Sequence, residues 1–164
     1  MKTLLLMRHS KSSWDNPADQ DIERPLNSRG KREATLMGKH LVNEGLEPDM
    51  IVCSNAKRAR RTAEKVIKAM DWNGPLEVNP DLYFSSVISY VDVLNQQLDK
   101  HDRVLLIGHN PIIEDFLSTF TGGWREAKTS TVAQLKIDIK SWSDLSHNTK
   151  ARLKNFWIPA MLEK

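Results

Sequence analysis

Three short, unbroken apolar runs stand far apart in this chain: residues 3–7 (TLLLM), 50–54 (MIVCS) and 104–108 (VLLIG). Each is too short for a helix, and none alternates as a strand with one wet face would. Such runs mark strands covered on both sides, which is the habit of parallel sheets. Parallel neighbours cannot be joined by a hairpin. The stretches between them must therefore supply crossover helices for both faces.

The intervening stretches have that character. Residues 11–27 are polar, contain Pro17 and Pro25, and read as a loop. Ser28 is placed to cap a helix running to Glu44, where Gly45 stops it. Ala34, Met37, Gly38, Leu41 and Val42 form its apolar stripe. A second helix runs to Met70 with Ala59, Ala63, Val66, Ile67 and Met70 on one face. Residues 76–78 suit a short strand. Residues 86–98 suit a third helix with Val87, Val91, Leu94 and Leu98 inward. Asn110 as cap and Pro111 in the first turn open a fourth helix, which buries Ile112, Phe116, Leu117 and Phe120.

The last third differs. Ala133, Leu135, Ile137 and Ile139 alternate with Gln134, Lys136 and Asp138, as in an edge-like antiparallel strand, and a partner strand is expected near 151–158. The expected fold is α/β: a three-layer α/β/α sandwich with a mainly parallel central sheet and antiparallel C-terminal strands. At 164 residues, without a linker or repeat, one domain over 1–164 is expected.

Composition excludes several classes. The chain has 24 basic and 21 acidic residues, net +3, which suits a small anionic substrate and is too weak to imply nucleic acid. Cys53 is the single cysteine, so no internal disulfide or cysteine metal cluster can form, and a reducing cytoplasmic setting is expected. Neither a signal peptide nor a membrane span is expected, because no apolar run is long enough.

Ligands of open α/β sheets bind beyond the carboxyl ends of the parallel strands. The first strand ends in Arg8-His9. The second feeds a helix whose first turn holds Arg58. The third ends in Gly108-His109. Two histidines and two arginines facing one crevice, with helix N-termini nearby, suit a phosphoryl group. A neutral imidazole is a nucleophile for phosphoryl transfer if a hydrogen bond fixes its other nitrogen. Such a site requires no metal and no cofactor.

The segment MRHSKSSW (7–14) resembles the R-H-G signature of the histidine phosphatase superfamily, whose fold is phosphoglycerate-mutase-like. Within that superfamily the chain resembles the small SixA-type phosphohistidine phosphatases. The resemblance continues through ERPLNSRG (23–30), CSNAKRARRTAE (53–64), DLYFSS (81–86) and LLIGHNP (105–111), over about three quarters of the chain. It implies His9 as the phosphorylated nucleophile, with Arg8, Arg58 and His109 completing the phosphate pocket. Arg24 is implied at the mouth as a substrate-binding residue. Ser10, standing where the usual glycine follows the histidine, is the other substrate-binding candidate.

Larger members place an acidic proton donor shortly after a leucine in the third block. Here Tyr83 and Phe84 follow Leu82, leaving Asp81 as the candidate donor. An alkoxide leaves badly without such an acid, whereas a phosphorylated imidazole takes a proton from solvent and leaves neutral. The leading expectation is a metal-independent phosphatase acting on protein phosphohistidine. The alternatives are a phosphatase for a small-molecule phosphate ester and a non-catalytic phosphate-binding module. The expected partner is a phosphorylated protein or small phosphorylated substrate, with no nucleic acid, no membrane and a monomeric state. Arg61 and Lys65, on nearly the same side of the second helix, suggest a basic rim for an acidic partner. His40, His101 and His147 are expected at the surface.

Overall fold

The computed structural model describes residues 1–163. The elements run β1 (Lys2–Arg8), α1 (Ser28–Asn43), β2 (Met50–Ser54), α2 (Lys57–Met70), β3 (Leu76–Asn79), α3 (Val87–Asn95), β4 (Arg103–Gly108), α4 (Ile112–Thr121), β5 (Val132–Ile137), β6 (Ala151–Trp157) and α5 (Pro159–Leu162). Short 3-10 turns cover Asp21–Glu23, Pro80–Leu82 and Trp142–Asp144.

One six-stranded sheet has the order β3-β2-β4-β1-β5-β6. The first four strands in that order are parallel, and β5 runs antiparallel to both β1 and β6. The unbroken apolar runs are explained by the two cores they feed. Leu4, Leu6, Val52, Val104 and Leu106 pack with Phe116 and Phe120 of α4 and Val93 and Leu94 of α3. Leu5, Met7, Ile51, Cys53, Leu105 and Ile107 turn the other way, onto Met37 and Leu41 of α1 and Ala63 and Val66 of α2. Successive strand residues point to opposite faces, so a strand sandwiched between helices needs apolar residues at every position.

Several expectations shift. The α1 cap is Asn27, whose side chain accepts from Gly30 N at 2.8 Å, rather than Ser28. Val42 is exposed, and α3 stops at Asn95, leaving Leu98 exposed. Asn110 does not cap α4. Its amide donates to the Ala127 carbonyl at 2.8 Å, and α4 opens after Pro111 with no side-chain cap. Nor is β5 an edge: β1 and β6 flank it, and buried Gln134 accepts from Asn155 at 2.8 Å. Of its alternating polar residues, Gln134 finds a partner inside the sheet, Lys136 is half-buried and Asp138 is exposed. His101 is buried, because Trp142, also buried, fills the space beside it and donates its indole N–H to the His101 carbonyl. His40 lies half-buried, edge-on to Trp157. His147 is exposed.

Candidate active site

Register builds the site. In the β1–β4 pair Met7 stands beside Ile107 and Arg8 beside Gly108, so His9 and His109 leave the sheet side by side. The His9 amide donates to the Gly108 carbonyl at 3.0 Å. The two rings lie 5.1 Å apart, tilted by 52°. Ser54 ends β2 one strand over, and α2 begins three residues later, putting Arg58 in its first turn. Thr62 ties these parts together: its hydroxyl accepts from the Ser10 amide at 2.9 Å and donates to the Arg58 carbonyl at 2.7 Å.

Gly108 is required by a close approach. A Cβ there would sit 2.3 Å from the Tyr90 hydroxyl. That buried hydroxyl accepts from the His109 amide at 3.0 Å and donates to the Leu82 carbonyl at 3.1 Å. Tyr90 thus joins the end of β4 to the turn that presents Tyr83.

The tautomer of His9 follows from its partner. Nδ1 lies 2.8 Å from the Ser10 carbonyl oxygen, which can only accept. Nδ1 therefore carries the proton, and Nε2 keeps its lone pair. Burial pushes the His9 pKa down to about 3, helped by His109, Arg58 and Arg8 and opposed by the Ser10 carbonyl. Burial and the two arginines likewise push His109 down to about 3, against the pull of Asp21. Both rings are neutral at physiological pH. His109 Nε2 lies 2.8 Å from the Ser54 hydroxyl, while its Nδ1 is buried without a partner. The Ser54 oxygen accepts from the Ala56 amide at 3.1 Å, and its own proton is free to be donated to His109 Nε2 in the tautomer that protonates Nδ1. In that tautomer His109 Nδ1 bears a hydrogen with no acceptor among the described residues.

The arginines are held by the chain around them. Arg8 donates to the Ala127 carbonyl at 3.0 Å, and its buried Nε is unpartnered. Arg58 donates to the Asp21 carbonyl at 2.8 Å and to the Asp21 carboxylate at 3.1 Å. Tyr83 donates to the same carboxylate, and Arg24 bonds it at 3.1 Å. Partial burial would raise the Asp21 pKa, but the bonds from Tyr83, Arg24 and Arg58 outweigh it and hold the carboxyl near 2. Asp21 is thus an ionised brace rather than a proton donor.

A cleft of about 610 Å³ opens over these groups. Arg8, His9, Arg24, Arg58 and His109 all line it, with Lys11, Trp14, Tyr83, Phe84 and Asn110. Its lining contains no carboxylate. Trp14 and Phe84 project from the rim, 71% and 82% exposed. The Arg24 guanidinium stacks on Trp14 and is otherwise occupied by Ser12, the Ser13 carbonyl and Asp21. Two candidates are not brought to the cleft. The Ser10 side chain turns inward to Ser130, and only its carbonyl serves the site, through His9. Asp81 is exposed in its 3-10 turn and does not line the cleft. Cys53 is buried, which raises its thiol pKa to about 12 and makes it unreactive.

Sequence reasoning did not find Asp21, Tyr83 or Ser54 as working parts. Asp21 lies in a loop with no periodicity. Tyr83 is far from it in the chain. Ser54 was visible only as the last residue of a strand.

The fold agrees with the comparisons. Residues 4–83 match the histidine phosphatase superfamily (branch 1). A structure from Agrobacterium tumefaciens, assigned as a phosphohistidine phosphatase SixA, superposes with a TM-score of 0.81 at 26% identity, covering 96% of this chain and 98% of that one. A protein histidine phosphatase SixA complexed with tungstate has the same fold, with a TM-score of 0.84 at 24% identity, covering 98% and 99%. The chain is similar to the histidine phosphatase superfamily over residues 4–83, and it has the phosphoglycerate-mutase-like fold of the small SixA structures along nearly its whole length. The Escherichia coli phosphohistidine phosphatase SixA is 27% identical over 139 residues, 82% of this chain and 85% of that protein.

Proposed function

We propose that this phosphatase acts without a metal, through a phosphohistidine on His9, and hydrolyses phosphohistidine in proteins. The observation that carries the substrate class is the carboxylate-free lining of the cleft. Where the larger relatives place an acid, Tyr83 spends its proton on ionised Asp21.

In the first step the His9 Nε2 lone pair attacks phosphorus in line. The P–Nε2 bond forms as the P–N bond to the substrate imidazole breaks, and that imidazole, protonated on its other nitrogen by solvent, departs neutral. The His9 ring becomes cationic, and the Ser10 carbonyl, accepting from Nδ1–H, stabilises that charge. Arg8, Arg58 and the Nδ1–H of His109 take the phosphoryl oxygens, where donors in a dry site favour the transition state. In the second step water attacks phosphorus, the P–Nε2 bond breaks, and inorganic phosphate leaves with the proton released to solvent. The tungstate bound to the related SixA is the kind of tetrahedral oxyanion this geometry suits.

The test is phosphate release, with chelator present, from a phosphohistidine peptide and a series of aryl and alkyl phosphates. The rate on esters should fall steeply as leaving-group pKa rises, while the phosphohistidine peptide escapes that penalty. Asp81→Asn should leave phosphohistidine hydrolysis unchanged. Equal cleavage of alkyl and aryl esters, lost selectively in Asp81→Asn, would favour a small-ester phosphatase with a general acid. Inhibition by chelator that divalent metal reverses would overturn the metal-free mechanism.

A further inference from the structure

A second charged feature lies outside the cleft, along the seam of α1 and α2. Two adjoining depressions, of about 400 and 360 Å³, share Thr35, Lys39 and Lys65 and form one groove. Its cations are Lys31, Arg32 and Lys39 from α1 and Lys65 and Lys68 from α2. Thr35, Leu36 and Ala69 complete the lining, which has no carboxylate. The four lysines have no salt-bridge partner among the described residues, whereas Arg32 meets Glu163 at 3.6 Å and Arg61 next to the groove is paired with Glu64.

Helical spacing makes this a track. Lys31, Thr35 and Lys39 follow at intervals of four on α1, so the two lysines stand about 12 Å apart along one face. Lys65 and Lys68 are one turn apart on α2. The track begins at the catalytic end of the molecule. The Lys11 carbonyl accepts from Asn27 N at 3.0 Å, at the start of α1, and Lys11 itself lines the cleft. Both helices also open with cations and no acid in the first turn, the arrangement least favoured by the helix dipole. In the free protein these like charges repel one another, and an approaching polyanion relieves that repulsion.

We infer that the α1–α2 groove docks an acidic segment of the protein substrate while its phosphorylated histidine occupies the cleft. This inference rests on the reading of the cleft as a site for protein phosphohistidine. An acidic polypeptide is favoured over a nucleic acid for two reasons. The groove contains no aromatic side chain on which a base would stack. The net charge of the chain, +3, is small for holding a phosphate backbone.

The experiment compares two phosphohistidine peptides with the same core, one flanked by a Glu/Asp-rich segment and one by a Ser/Gly segment. The wild type should show kcat/KM about tenfold higher for the acidic peptide at low salt, the scale of electrostatic steering by a few charges. The preference should vanish at high salt and in a Lys39→Glu/Lys65→Glu variant, and weaken in Lys39→Gln/Lys65→Gln. Hydrolysis of a small aryl phosphate should not change in either variant. Binding of the unphosphorylated acidic peptide, read by fluorescence anisotropy, tests docking without turnover. Its loss in the Glu variant supports the inference even if phosphohistidine proves not to be the substrate. Equal rates on the two peptides, with no lysine-dependent anisotropy change, would overturn it. So would lysine-dependent binding of a single-stranded RNA oligomer or of phosphatidylserine vesicles when the acidic peptide does not bind.

Discussion

Burying two neutral histidines side by side makes the fold sensitive to mild acid. His9 and His109 are 7% and 6% exposed, and both titrate near pH 3 in the folded protein. In the unfolded chain each would titrate near its ordinary value of about 6.5. Between those values the unfolded state binds protons that the folded state refuses. Stability is therefore flat above about pH 7 and falls as pH drops through about 6.5 toward 3. At pH 5 each histidine lies about 1.5 units below its unfolded pKa, which costs about 2 kcal/mol, or about 4 kcal/mol for the pair. That is a large share of the roughly 5–15 kcal/mol that holds a domain together. Asp21 does not obscure this window. Its folded pKa near 2 lies below the ordinary carboxylate value of 3.8, so its contribution is lost as pH falls through 3.8 toward 2, below the range of the assay. The assay is urea unfolding at about pH 7.5 and about pH 5, with the difference in unfolding free energy as the readout. His9→Asn and His109→Asn should each remove about half of that difference, whatever each does to absolute stability, and the double variant nearly all of it. Saturating phosphate should return stability at pH 5, because a bound anion favours both protonated rings and binds only the folded state. A pH dependence unchanged in the double variant would refute the assignment of two buried neutral rings.

His9→Ala should abolish turnover and leave the fold intact, and the wild type should yield an acid-labile, base-stable phosphoenzyme; turnover within a few-fold of wild type in the variant would remove His9 from the mechanism. Alanine at Arg8, Arg58 or His109 should each lower kcat about 10²-fold, the scale of losing one transition-state donor, as steady-state kinetics would show. Ser54→Ala should lower kcat about fivefold by releasing the hydrogen bond that sets the His109 tautomer, worth about 1 kcal/mol, and Ser54→Thr, which keeps the hydroxyl, should recover most of it. Gly108→Ala should destabilise the protein by about 1–3 kcal/mol and slow turnover together, since the added Cβ displaces the Tyr90 hydroxyl from the His109 amide; thermal unfolding and kcat measured on one preparation check both.

Much of the architecture was legible from local pattern. An unbroken apolar run signals a strand covered on both faces, and chain direction then says which end of it meets a ligand. Arg8, His9, Arg58 and His109 follow from that rule, because each stands at or just beyond the carboxyl end of a strand. The alternation of β5 was also visible, but its meaning was not. Gln134 is polar in sequence and buried in fact because Asn155 on β6 satisfies it. His101 was misplaced for a related reason: its burial depends on Trp142, which arrives from a distant turn.

What the chain's order alone determined is the set of groups at the strand ends, since strand polarity and side-chain alternation are properties of consecutive residues. What only the tertiary structure decided is how those groups are oriented. The register of Arg8 against Gly108 sets the two rings 5.1 Å apart. Asp21 from a loop without periodicity braces Arg58 and occupies Tyr83, and Ser54 from a neighbouring strand holds His109. The lysine groove exists only because α1 and α2 lie side by side. Hydrogen bonds and charge pairs act over a few ångströms of space, and the path of a loop or the meeting of two helices is set by global packing, which no local periodicity encodes.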